Sequence, residues 1–134
     1  MPQTIAEAME AVEAAYEFML AYAAQGRERE EDDPMGIRDY LNRAAAGLKV
    51  VAAATPADMG APAGPIADAT QAMLDVLKQD AARAGAAINF VLAQRSIGSQ
   101  IIDNLNASIH IRALLTDVFL IDETLNDTGG GLDV

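Results

Sequence analysis

Between Pro65 and Asp127 proline never recurs, and glycine occurs only at Gly85 and Gly98. A helix entered at Pro65 meets no strong breaker before Asn126-Asp127-Thr128-Gly129. At 1.5 Å per residue it would be roughly 90 Å long if straight. A compact domain of 134 residues has a radius of gyration of about 14 Å, so a single globule cannot cover that rod. Either the segment breaks near Arg95-Ser96-Ile97-Gly98-Ser99, giving a four-helix bundle, or its distal part packs on a second copy of the chain. The sequence favours the second course, because the Ser-Ile-Gly-Ser tract lacks the proline or polar cluster of a usual turn.

Upstream of that run the chain reads as a helical hairpin. Thr4 and Glu7 have the spacing of a capping box, and Ile5, Met9, Val12, Tyr16, Met19 and Ala23 follow in steps of four and three. Gly26 supplies a left-handed C-cap, and Arg27 to Asp33, charged at every position, reads as a solvated loop. A second helix is expected to open with Asp33 as N-cap and Pro34 at its first position. Its stripe is Ile37, Leu41, Ala44, Leu48 and Val51, and Thr55-Pro56 ends it. The Pro/Gly-rich stretch 55–64 is a connection within one domain. The expected helices are 4–25, 34–54 and 65–127, forming a single domain over 1–127 with a flexible tail at 128–134.

The last segment carries two apolar stripes. One is Ile66, Met73, Leu77, Ala84, Ala87, Val91, Ile101, Leu105, Leu115 and Phe119; the other is Leu74, Ala81, Ile88, Leu92, Ile102, Ile109 and Leu120. A face that wide is covered from more than one direction. Apolar residues make up 51% of the chain but aromatics only 4%, and the predominance of alanine suits closely approaching helices over a sheet. The expected fold is all-α: the hairpin plus a long C-terminal helix, kinked or broken near Ser96–Gly98, in a bundle completed by oligomerisation.

The net charge of −11 leaves no basic stripe, which argues against nucleic-acid or anionic-membrane binding. No apolar stretch approaches the ~20 residues that span a bilayer. Without cysteine there is no disulfide framework, thiolate metal site or cysteine nucleophile. The N-terminus lacks the pattern of a signal peptide, and a cytoplasmic location is expected.

No phosphate-binding loop, Ser-His-Asp order or His-Glu-x-x-His is present. Glu7, Glu10, Glu13 and Glu17 have the spacing of half a carboxylate metal site. The Glu-x-x-His partner is missing, however, because Ala107 stands three residues before His110; the glutamates read as a solvated acidic face, with no metal or cofactor. Arg95, Asp103, His110 and Arg112 are the polar candidates for a ligand held between helices. Ile101, Leu105, Leu115 and Phe119 are the candidates for an oligomer interface. The block Ala81 to Ala87 permits close backbone approach, within the chain or between copies.

The expected function is that of a non-enzymatic helical interaction protein, an adaptor, small chaperone or regulatory subunit. It would self-associate through the C-terminal helix, with a homodimer favoured, and engage a further protein partner. The alternatives are a bundle binding a small ligand or metal between helices, and a subunit of a larger helical assembly.

Overall fold

The capping box at the start of the chain is formed in full: Thr4 Oγ1 accepts from the Glu7 N–H at 3.1 Å, and Glu7 Oε1 accepts from the Thr4 N–H at 3.0 Å. It opens α1, Ile5–Ala24. In the computed structural model, which describes residues 4–61 and 63–131 with side chains as far as Thr124, four further α-helices follow. They are α2 Ile37–Ala52, α3 Pro65–Leu92, α4 Ser99–Ala107 and α5 Ile109–Gly131. No strand occurs among the described residues, and no helix is long and apolar enough to cross a membrane.

α1 ends as expected, with Gly26 in the left-handed region at φ 65°. α2 starts three residues later than expected. Asp33 does not cap it; its Oδ1 accepts from the Met35 N–H, and its carbonyl accepts from the Gly36 N–H. Asp33 to Gly36 thus closes a turn of its own, and Gly36 takes the N-cap position of α2. The connection after α2 contains a 3₁₀ turn, Pro56–Met59, which Thr55 and Asp58 cap reciprocally.

The four long helices run up, down, up and down. α1 packs most closely on α2, α2 on α3, and α3 on α5, while α4 packs on α1 and the α1–α5 side is the most open. The α1–α2 contact is close because Gly47 lies directly over the Ala8 carbonyl. Phe18 and Tyr40 stack at 4.1 Å nearer the loop end of the hairpin. One core runs through the bundle, with Met9, Leu41, Leu74, Leu77, Ile102 and Leu114 among its fully enclosed side chains.

The long run from Pro65 does break. α3 stops at Leu92, residues 93–98 form a connection, and the chain turns back into α4. No proline drives this, and Gly98 has an ordinary φ of −85°. The break is stabilised by contacts distant in sequence. Ile97 is fully buried, and the loop 27–33 supplies partners for the freed backbone. Ser99 N–H donates to the Arg27 carbonyl and Arg27 N–H donates to Ser99 Oγ, each at 2.8 Å. Glu30 N–H donates to Ser96 Oγ at 3.0 Å, and Glu30 Oε1 accepts from the Ile97 N–H at 3.1 Å. Arg38 reaches the same point from α2, donating to Glu30 Oε2 and to the Leu92 carbonyl at 2.7 Å each, and to the Gln94 carbonyl. The loop expected to be solvated is therefore half a latch: Arg27 and Glu30 are half-buried, while Glu28, Arg29 and 31–33 face water.

A second break, at Ser108, was not legible as one. Ser108 takes extended backbone angles after α4, and its Oγ accepts from the His110 N–H at 3.2 Å. The Ser108 carbonyl accepts from the Arg112 N–H, so Ser108 is the N-cap of α5. The interruptions shift the buried face by about a third of a turn relative to the continuation of α3 as an unbroken helix. α5 consequently buries Ile111, Leu114, Leu115, Val118 and Ile121, while Ile109 and Leu120 of the expected stripe are exposed. α5 continues to Gly131, beyond the expected stop at Asn126–Gly129, because extending a formed helix needs no new nucleus. Of the expected tail, 132–134 lie outside the described residues.

Candidate functional site

Four glutamates and no basic residue make α1 uniformly acidic, and one edge of it lies against α5. There Tyr16 meets Phe119 edge to face, with ring centroids 6.4 Å apart. Leu20, one turn beyond Tyr16, is 48% exposed and Phe119 is 44% exposed, a larger apolar surface than either helix needs to leave in water. Carboxylates surround it: Glu10 and Glu17 are exposed, Glu13 and Asp122 are half-buried, and Glu123 is exposed. Burial, and then the charges of Asp122, Glu17 and Glu10, push the Glu13 carboxyl above its ordinary range. None of these five carboxylates has an ion-pair partner among the described residues. The seam is an aromatic and aliphatic knob set in uncompensated negative charge.

The opposite side of the bundle, between α2 and α3, has the complementary relief. A shallow groove of about 660 Å³ runs there, with Ala45, Ala46, Ala52, Ala81, Ala82 and Ala86 among its lining residues. Gly85 lies on its floor, and Lys49 and Lys78 stand at its margins. Neither lysine has an ion-pair partner among the described residues. The expected close-approach block, Ala81 to Ala87, thus divides its work. Ala81 and Ala84 are buried in the core, while Ala82 and Ala86 face outward into the groove. A second cleft, of about 580 Å³, lies at the α1 N-terminus between Ile5 and Val50.

One acid pair is internal. Asp117 of α5 is 7% exposed, and one of its carboxylate oxygens is buried without a hydrogen-bond partner. Burial, and then the neighbouring Asp80 of α3, push its carboxyl up to about 7. Asp80 is itself answered on its outer side by Arg83 at 3.6 Å. The pair is part of the α3–α5 packing and opens onto neither groove.

The four residues expected to hold a ligand do not enclose one. Arg95 lies in the connection 93–98, Asp103 on α4, and His110 and Arg112 in the first turn of α5; all four are exposed. None lines either cleft. The break at Ser108 separates Asp103 from His110, which a continuous helix would have aligned two turns apart. Among the described residues, no group of three or more His, Asp or Glu could hold a metal. Of the expected interface residues, Leu105 and Leu115 are buried in this chain's own core and Ile101 is half-buried against it, leaving Phe119 available. The residues missed were Leu20, which lies off the expected α1 stripe, and the two unpaired lysines. Their signal, opposite charge on non-adjacent helices, acquires meaning only once the helix order is known.

No protein-family model, curated protein or solved structure matches the chain.

Proposed function

We propose that this chain is a non-enzymatic helical interaction protein whose working face is the α1–α5 seam, and that it self-associates through the face α5 contributes there. The observation that carries the reading is the Tyr16–Leu20–Phe119 knob, with Leu20 and Phe119 exposed and Tyr16 half-buried, amid carboxylates that have no ion-pair partner among the described residues. Apolar side chains clustered on a rim of like charge favour a partner surface that covers the first and neutralises the second. An adaptor or regulatory subunit working through helix faces needs no more chemistry than this.

Light scattering on the eluting protein compares the wild type with a Leu20→Ser/Phe119→Ser double variant. The reading expects the wild type to run above the 14.1 kDa of one chain as concentration rises, and the variant to remain at it. Affinity capture from native cells examines the wider partner role: a protein retained by the wild type and lost by the variant supports the seam as the working face. If the folded double variant associates and captures as the wild type does, the seam is not that face.

A further inference from the structure

We infer that the two faces fit each other, so that the α1–α5 seam of one copy seats in the α2–α3 groove of the next and the chain associates head to tail. This rests on the seam as the working face and names its occupant: a second copy of this chain. The knob formed by Tyr16, Leu20 and Phe119 needs a surface low enough to receive it. The groove supplies that surface, because Ala82 and Ala86 project only methyl groups from α3 and Gly85 projects nothing. Seam carboxylates Glu13 and Glu17 need cations, and Lys49 and Lys78 at the groove need anions. Neither set has an ion-pair partner among the described residues of its own chain.

The placement of the faces determines the kind of assembly. α1 and α5 form one side of the bundle and α2 and α3 the opposite side. A contact between different faces is heterologous and leaves both end copies with a free face, so it grows into a row or closes only as a ring. A two-fold dimer would instead place seam against seam, bringing two sets of unpaired carboxylates together. Two copies each at −11 repel at long range. The contact is therefore expected at about 0.15 M salt, where a Debye length of about 8 Å screens the whole-molecule charge more than a close Lys–Glu pair.

Sedimentation equilibrium at that salt tests the inference with the full chain. The wild type should gain mass continuously with concentration and show no plateau at two chains. Lys49→Glu/Lys78→Glu, which reverses charge at the groove and leaves the seam unchanged, should weaken association about tenfold or more. Ala82→Leu/Ala86→Leu, which fills the groove without changing charge, should do the same. Mixing the groove double-lysine variant with the Leu20→Ser/Phe119→Ser seam variant should restore a one-to-one complex, since each retains the face the other lacks. Circular dichroism establishes that every variant is folded. A wild type that plateaus at two chains and is unaffected by both groove variants overturns the head-to-tail contact while leaving the seam reading intact. Association indifferent to seam and groove alike overturns both. A wild type that remains monomeric overturns self-association, and a basic helix from another protein captured by its seam would then identify the occupant as foreign.

Discussion

A methyl group added at Gly47 would sit 2.8 Å from the Ala8 carbonyl oxygen and 3.4 Å from the Ala8 Cα. Both are backbone atoms, and α1 cannot yield there without separating from α2. One at Gly85 meets nothing nearer than a Leu48 methyl at 3.8 Å. Gly47→Ala should therefore lose about 1–3 kcal/mol, the cost of overpacking outweighing its better helix propensity. Gly85→Ala should gain about 0.5–1 kcal/mol, because alanine loses less backbone freedom in a helix interior. Urea denaturation of both variants checks this; a stabilised Gly47→Ala would contradict the close α1–α2 approach. At this scale the sequence was only partly informative. It marked Ala81 to Ala87 as a place of close approach, yet helix backbone also comes close at Gly47, a buried glycine outside the expected α2 stripe with no local cue to what lies opposite.

At the scale of elements, the connection 93–98 and the loop 27–33 stabilise each other. Arg38 joins them, its guanidinium donating to Glu30, Leu92 and Gln94 at once. It thereby satisfies carbonyls at the end of α3 that the helix leaves open. Lysine carries the charge but not the planar fork, and cannot reach three acceptors in that geometry. Arg38→Lys should therefore cost about 1–3 kcal/mol, nearly as much as Arg38→Ala, measured by chemical denaturation. Full rescue by lysine would mean that charge alone holds the latch. The capping box, the Gly26 C-cap and the antiparallel hairpin were legible because each rests on neighbours within a few residues. The Ser96–Gly98 break was recognisable as a weak stretch but not as the favoured outcome, since its stabilising partners lie 54 or more residues away in sequence.

For the whole molecule, the excess of acid makes stability depend on pH. Asp117 has its pKa pushed up to about 7 in the fold, against an ordinary value of about 3.9. Between those values the native state binds more protons than the unfolded chain, so stability falls as pH rises from about 4 to about 7 and is level above. The raised Glu13 acts in the same direction. The capping-box hydrogen bonds with Thr4 lower Glu7 and oppose this only in the acid range below the ordinary carboxylate value. Asp117→Asn removes the buried charge and can donate to Asp80 at any pH. It should stabilise the chain by about 1–3 kcal/mol at pH 8 and little at pH 4, as read by urea titrations at both. An equal effect at both pH values would show that Asp117 does not carry the dependence.

What the sequence determined by itself was the helical class, the hairpin and the demand created by Pro65–Asp127, a run too long for one helix in one globule. Helix propensity, capping residues and 3.6-residue periodicity are local, and one chain displays them in order. Tertiary structure decided where that run breaks. Three polar side chains of the first half, Tyr22, Glu30 and Arg38, hold the backbone of the second. It also decided which apolar residues remain outside, because two interruptions reset the phase of α5. Only the helix order sets an apolar knob ringed by carboxylates on one side of the bundle and a lysine-edged groove on the other, since charge has a direction in space only after the chain has folded.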